Sequence, residues 1–284
     1  MKKTLFNLAL FITICQVFVL NSAYASGIKW TRIDKKIFYA KVNVYRGNEI
    51  TDHVDIIKIA PGGYTFRLLD MHDNNGKMIL KNVENWQEES GALVVFNGSY
   101  YNEEFKPATA VVADGKSKNN FREVKKGAVF VASPGNKSGL AEADIIDLSG
   151  NPVDMKNLHY MTAVQSYPVL LDKLGRIPVL KSGWRANRTV IAKDKAGNIL
   201  LFVTEGTQKH YSFTLYEMAE WIKNCGLGVK MAVNLDGGYE SELCIKTNNF
   251  SYATYGQWEL NQNGDVSKPG LKMWLPFAIA VFPK

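Results

Sequence analysis

Apolar residues recur at every second position over much of this chain. Between residues 37 and 46, Phe38, Ala40, Val42 and Val44 fall on one side, with Tyr39, Lys41, Asn43 and Tyr45 on the other. That is the period of a strand with two unlike faces. Residues 54–60 and 64–71 are two further strands around Pro61-Gly62-Gly63, which reads as a hairpin turn. Apolar runs at 92–96, 108–113, 127–132, 144–148, 161–165, 188–193, 198–204, 229–235 and 276–282 continue the series. Asp114-Gly115 and Asp194-Lys-Ala-Gly197 are hairpin signals. Residues 133–139, rich in Gly, Ser, Asn and Lys, read as a surface loop.

Two segments break the period of two. Residues 82–90 read as a short helix capped by Asn82 and stopped by Gly91. Thr214-Leu-Tyr-Glu217 is a capping box that opens a second helix. Its apolar face is Leu215, Met218, Ala219 and Ile222, and Gly226 ends it. No internal repeat or Pro-rich linker divides the chain. The pattern predicts an α+β fold: a strand-rich single domain with few helices, its site at converging strand ends.

Residues 1–25 read as a signal peptide. Lys2 and Lys3 precede the apolar run 5–20, and Ala23-Tyr-Ala25 is a cleavage site, so the domain is expected to span 26–284 and to be secreted or periplasmic. The run is short for a membrane anchor, and no other stretch suits stable membrane insertion. Of the formal charge of +7, Lys2 and Lys3 account for two, which leaves +5 on the mature chain. That excess is scattered; Lys35-Lys36 and Lys125-Lys126 are doublets, and nucleic acid is not an expected partner. Cys225 and Cys244 remain after cleavage, either bridged or as two buried thiols. His53, His72, His159 and His210 lack metal-ligand spacing. A divalent cation near Asp236 is compatible with the sequence, and no organic cofactor is expected.

Five strands end in polar tips: residues 96–101, 164–169, 183–189, 204–206 and 234–238. Brought to one edge, they would supply amides, the guanidinium groups of Arg185 and Arg188, the carboxylates of Glu205 and Asp236, and glycine backbone. Guanidinium forks bind phosphate, and amides and carboxylates bind sugar hydroxyls. A carboxyl group can protonate a leaving oxygen or stabilise an oxocarbenium ion. The residue types point to a sugar phosphate. Asn-Leu-Asp-Gly-Gly at 234–238 carries the sharpest signal, because Asn234 and Asp236 share a side and Gly237-Gly238 permit a tight turn. Each tip also has a plain reading, since Asn and Asp shape their own turns. Ser166 lacks both an adjacent His and a nucleophile-elbow context, which disfavours a serine hydrolase.

Asn97-Gly-Ser-Tyr-Tyr101, Gln165-Ser-Tyr-Pro168, Arg185-Ala-Asn-Arg-Thr189 and Asn234-Leu-Asp-Gly-Gly-Tyr239 occur in the order and spacing of a known family. Over residues 92–243 the chain resembles the phosphodiester glycosidase family. The resemblance implies cleavage of a glycosidic bond to phosphate in an envelope or extracellular glycan. It implies Asp236 and Glu205 as catalytic carboxylates, acting as acid and base or as acid and nucleophile. It implies substrate binding by Asn97, Gly98, Gln165, Ser166, Arg185, Arg188, Asn234, Gly237 and Gly238. Ser99, Tyr167 and Tyr239 replace family glycines, Asn187 replaces a proline, and Glu205 stands where many members carry Asp. The two tyrosines either narrow a pocket or offer stacking faces for a sugar. They motivate an alternative, a carbohydrate-binding or envelope-assembly protein on the same fold without catalysis.

Overall fold

The computed structural model describes residues 27–72, 77–119, 123–124, 126–136, 139–150, 152–181, 183–206, 213–256 and 272–284. The expected signal peptide, Lys125 and His210 lie outside the described residues. Three antiparallel sheets carry the fold. The first runs, in spatial order, Thr31–Asp34, Ile37–Arg46, Glu49–Ile59, Ile199–Thr204, Thr189–Asp194, Val229–Asn234 and Val169–Leu171. The second runs Ala143–Asp147, Ala128–Pro134, Tyr160–Ser166, Val111–Ala113 and Lys116–Ser117. The third runs Ser251–Thr254, Leu243–Lys246, Val94–Asn97, Phe277–Pro283 and Tyr64–Asp70.

The inner faces of all three sheets meet in one core. Ile57, Ile191 and Leu201 enter it from the first sheet, Phe130 and Val164 from the second, and Phe66, Phe96 and Ile279 from the third. Phe66 and Phe130 pack edge to face, 5.5 Å between centroids, and join the second sheet to the third. The outer faces are covered as well. Helix α2 (Leu215–Asn224) lays Met218, Ala219 and Ile222 on Val190, Leu200 and Phe202. Helix α1 (Val83–Ser90) lays Val83 and Trp86 on Val95, Ala278 and Ala280. Strands covered on both faces read as continuous apolar runs rather than alternating ones. Ile56 and Ile57 illustrate it: both are fully buried, one on each side of the same strand.

Both helices begin and end where the sequence predicts. The side chains of Asn82 and Asn85 cap each other's backbone, and Gly91 closes α1 in the left-handed region. Thr214 and Glu217 form the predicted box, and Gly226 follows α2 with φ +76°. The Asp114-Gly115 hairpin forms too, with both residues at positive φ.

Two expectations change. The hairpin at Pro61-Gly62-Gly63 is not formed. Those residues make a 3-10 turn, and the strands beside it enter different sheets. Ile57 and Ile59 face Phe66 and Leu68 across the core instead of sharing a ladder with them. Ser133 and Pro134, expected in a loop, extend a strand of the second sheet. The Ser133 hydroxyl accepts from Phe66 N–H and donates to Phe66 O, both at 3.0 Å, and so stitches two sheets together. Cys225 and Cys244 are free, buried under different helices. Among the described residues no helix is long and apolar enough to cross a membrane.

Two stability experiments follow from the helix ends. Thr214→Ala removes the hydroxyl that accepts from Glu217 N–H at 3.1 Å; urea denaturation is expected to show a loss of about 1 kcal/mol. At α1 the buried Glu242 carboxyl accepts from Val83 N–H at 3.2 Å and Met273 N–H at 2.7 Å. Burial lifts it to about 8 against those two amides, and Glu240 and Glu84 add to the rise. A carboxyl raised on folding contributes stability that is complete below its ordinary value of 4.5 and lost as pH rises through about 8. Tm is therefore expected to fall by several degrees between about pH 5 and pH 9. Glu242→Gln, which cannot ionise, should flatten that slope.

Candidate active site

Asn97 closes its strand at the junction of the first and third sheets. Its amide Nδ2 donates to Asp236 O at 2.9 Å and Gly98 O at 3.3 Å. Its Oδ1 accepts from the Thr189 hydroxyl at 2.7 Å and from Glu242 N–H at 3.3 Å. The side chain is buried, and both its polar atoms are engaged within the protein. Asp236 N–H returns to Gly98 O at 3.3 Å, so the backbone of Asp236 is gripped on both sides. A Cβ on Gly98 would stand 3.0 Å from Phe277 O, so the chains here approach as closely as glycine allows.

A chain of hydroxyls braces the next tip. Thr109 donates to Ser99 at 3.2 Å, Ser99 to Ser166 at 3.0 Å, and Ser166 to Asn234 O at 2.6 Å. Ser99, at a family glycine position, thus fills its place as a link in this chain. Gln165 accepts from Ala110 N–H and donates to Lys126 O, each at 3.0 Å. The structure accordingly places Asn97, Gln165 and Ser166 in the supports of the site, buried and bonded to protein groups.

Asn187 joins the remaining tips. Its Nδ2 donates to Thr204 O at 2.6 Å, and its own carbonyl accepts from Gly238 N–H at 2.9 Å. A Cβ on Gly237 would lie 2.8 Å from that carbonyl, and Gly238 sits at φ +69°. The two glycines let the turn after Asp236 pass over the 185–189 segment.

Around Asp236, which is half-buried, stand the groups that carry charge or exchange protons. Tyr100 donates to Tyr167 O at 2.6 Å and accepts from Asn234 Nδ2 at 2.9 Å. Burial pushes its phenol well above the ordinary range, the Asn234 bond and Arg188 oppose that, and the Asp236 charge adds to it. The Tyr100 hydroxyl therefore senses Asp236 and Arg188 together. Asn234 Oδ1 is buried without a hydrogen-bond partner among the described residues. The Arg188 guanidinium donates through Nε to Phe213 O at 3.0 Å and through Nη2 to Trp184 O at 2.5 Å. Its Nη1 points toward the Gly237 turn, 3.9 Å from where a Cβ would be. Burial lowers the group to about 10, against Tyr100 and Glu217, and it remains cationic at neutral pH. Arg185 pairs with Glu217 Oε1, and Arg46 holds Glu217 Oε2 at 3.2 Å. The capping residue of α2 thus also anchors one of the two predicted arginines.

Glu205 follows Thr204 and turns toward another cluster. Lys41 Nζ lies 2.5 Å from Glu205 Oε1, and Tyr252 donates to the same oxygen. Tyr252 also contacts Asp55 at 3.0 Å, and Tyr39 donates to Asp55 at 2.6 Å. Burial drives the Asp55 carboxyl far above the ordinary range, and the Glu205 charge adds to it. Burial would raise Glu205 as well, but Lys41 and Tyr252 outweigh it and hold Glu205 ionised. Of the two, Asp55 is the carboxyl that holds a proton more readily. Asn187 stands between this cluster and the Asp236 turn, its side-chain amide bonded to Thr204 O and its carbonyl to Gly238 N–H.

Among the described residues, no group of three or more His, Cys, Asp or Glu is placed to hold a metal ion. Tyr100, Asn187 and Asp55 are the structural partners that the sequence motifs do not single out. Tyr100 and Asn187 lie inside the motifs, so position was a signal for them. Asp55, in mid-strand, offered none.

The fold is similar to the catalytic domain of zebrafish N-acetylglucosamine-1-phosphodiester α-N-acetylglucosaminidase, a structure auto-inhibited by its pro-peptide. The TM-score is 0.63 at 16% identity, over 92% of this chain and 87% of that one. A protein from Synechocystis superposes with TM-score 0.54 at 16% identity, over 92% of this chain and 64% of its own. A Burkholderia pseudomallei protein superposes at 0.51 with 13% identity, over 82% and 74%. Among curated proteins no sequence match was found. The sequence profile of the phosphodiester glycosidase family matches residues 90–282, which include every strand tip gathered around Asp236, and the chain belongs to that family.

Proposed function

We propose that the protein is a secreted or periplasmic hydrolase that cleaves the glycosidic bond of a sugar-1-phosphodiester in an envelope or extracellular glycan. The observation that carries this reading is that Arg188 Nη1 faces the Gly237 turn, next in the chain to Asp236, while Asn234 Nδ2 holds the Tyr100 hydroxyl at the same strand end. An anion bound by Arg188 would place its glycosidic carbon near a carboxylate whose backbone is held at both N–H and C=O. Phosphate is a good leaving group that needs little protonation, so stabilising the sugar cation is the larger demand. In this reading Asp236 supplies that stabilisation and directs water. Arg188 takes the phosphodiester oxygens through the edge of its guanidinium that faces the Gly237 turn. Arg185, anchored on Glu217, adds positive potential behind it. Asn234 Oδ1, buried and unpartnered, is an acceptor for a substrate hydroxyl or an ordered water. Glu205, held ionised by Lys41 and Tyr252, is suited to act as a base or an electrostatic partner rather than as an acid.

The second reading, sugar binding without turnover, is supported by Tyr167. Its ring lies half-exposed over Tyr100, 5.0 Å between centroids, at a position the family fills with glycine. One experiment separates the two. Purified secreted protein is incubated with methyl N-acetylglucosamine-1-phosphate, and released sugar is measured with and without EDTA. Wild type is expected to release sugar, and Asp236→Asn to lower kcat by about 10²–10⁴-fold with the fold intact by circular dichroism. Binding without release, unchanged in Asp236→Asn, would instead support the non-catalytic reading. Loss of release in EDTA would add a divalent cation to the site. Arg188→Lys keeps the charge and loses the fork; KM is expected to rise on the order of tenfold.

A further inference from the structure

Among the described residues the three most exposed large apolar side chains are Leu180, Leu174 and Trp184, at 78%, 66% and 60%. All three follow the edge strand Val169–Leu171 of the first sheet. The same stretch has apolar residues with inward places: Ile177 and Val179 pack against the cluster beneath α2. Leu174, Leu180 and Trp184 stay exposed instead. Lys173, Arg176 and Lys181 are interleaved with them, against the single acid Asp172. Asp172 is buried at the base of the turn, where it accepts from the Leu174 and Arg176 amides at 2.9 Å and from Arg176 Nε at 2.8 Å. The turn that carries Leu174 outward is therefore held in shape from below. Lys181 lies over the Tyr216 ring of α2 at 5.2 Å.

We infer that this face seats the secreted protein on an anionic lipid surface. Single apolar tips alternating with cations match the boundary between headgroups and acyl chains: the tips enter it while the ammonium and guanidinium groups meet lipid phosphates. A protein partner would be met by a contiguous apolar patch with a polar rim, and here the charges lie among the tips. Trp184 connects this face to the candidate site, because its carbonyl receives the Arg188 guanidinium at 2.5 Å. Docking would bring the rim of the Asp236 site to material held at a membrane surface. The inference concerns attachment and stands independently of the glycosidase reading.

Vesicle co-sedimentation tests it without any activity measurement. The secreted protein is mixed with phosphatidylcholine vesicles, with and without phosphatidylglycerol, at low and high salt. Binding is expected to the phosphatidylglycerol vesicles, weakened by salt. The triple variant Leu174→Ser, Leu180→Ser, Trp184→Ser should bind at least about tenfold more weakly at unchanged Tm. The double variant Lys173→Glu, Lys181→Glu should lose a similar factor and its salt dependence. No binding of wild type to anionic vesicles would overturn the inference, as would equal binding by the triple variant. Retention on an immobilised glycan that depends on the three apolar residues, with no vesicle binding, would also overturn it and mark the face as a sugar platform.

Discussion

The side-chain amide of Asn97 is the interaction on which the rest of the site depends. It sits where the first and third sheets meet and bonds to Asp236 O, Gly98 O, Thr189 Oγ1 and Glu242 N–H at once. Each is a polar group in a region that excludes water, where an unpaired donor or acceptor is costly. One side chain therefore sets the relative placement of two sheets, the turn that carries Asp236, and the segment leading to the Glu242 amide beneath α1. The carboxylate of Asp236 projects from a backbone that has little freedom to move. Such preorganisation is what electrostatic stabilisation of a transient charge requires, since a site that must rearrange loses part of the benefit.

Charge around the site is divided between two clusters with opposite characters. On the Asp236 side, cations predominate: Arg188 faces the Gly237 turn, and Arg185 and Arg46 share one carboxylate, Glu217. On the Glu205 side, two carboxyl groups share a buried space with two phenols and a single ammonium, and burial raises Asp55 while Lys41 and Tyr252 hold Glu205 low. Asn187 separates them while tying both to the same backbone frame. The first cluster suits an anionic ligand. The second resists accepting more negative charge, and the raised Asp55 makes it sensitive to pH.

Local rules read directly from the chain hold where the interaction is local. The N-cap at Asn82, the capping box at Thr214, the left-handed stop at Gly91 and the Asp114-Gly115 turn involve partners within four residues, so nothing distant could overrule them. The turn at Pro61-Gly62-Gly63 marks the boundary of that rule. Its residues do form a turn, but whether the flanking strands pair is decided by where Ile57 and Phe66 find apolar neighbours. A reversal in the chain is a local property, and a ladder is not.

The same division applies to the site. The sequence by itself determined that polar strand ends exist and that four motifs among them follow the order of the phosphodiester glycosidase family. It could do so because strand period and motif order are properties of the chain alone. Only the tertiary structure decided which of those residues are buried and bonded to protein groups. Gln165, Ser166 and Asn97 are buried because backbone groups far away in sequence, Ala110, Asn234 and Asp236 among them, take up their hydrogen bonds. Glu205 faces Lys41, Tyr252 and Asp55 because the strand pairing sets Thr204 opposite Val54 and brings the third sheet's edge over it. These partners lie from 47 to 164 residues away. Whether a polar side chain meets a ligand or a backbone amide depends on contacts across the core, and no local pattern encodes those.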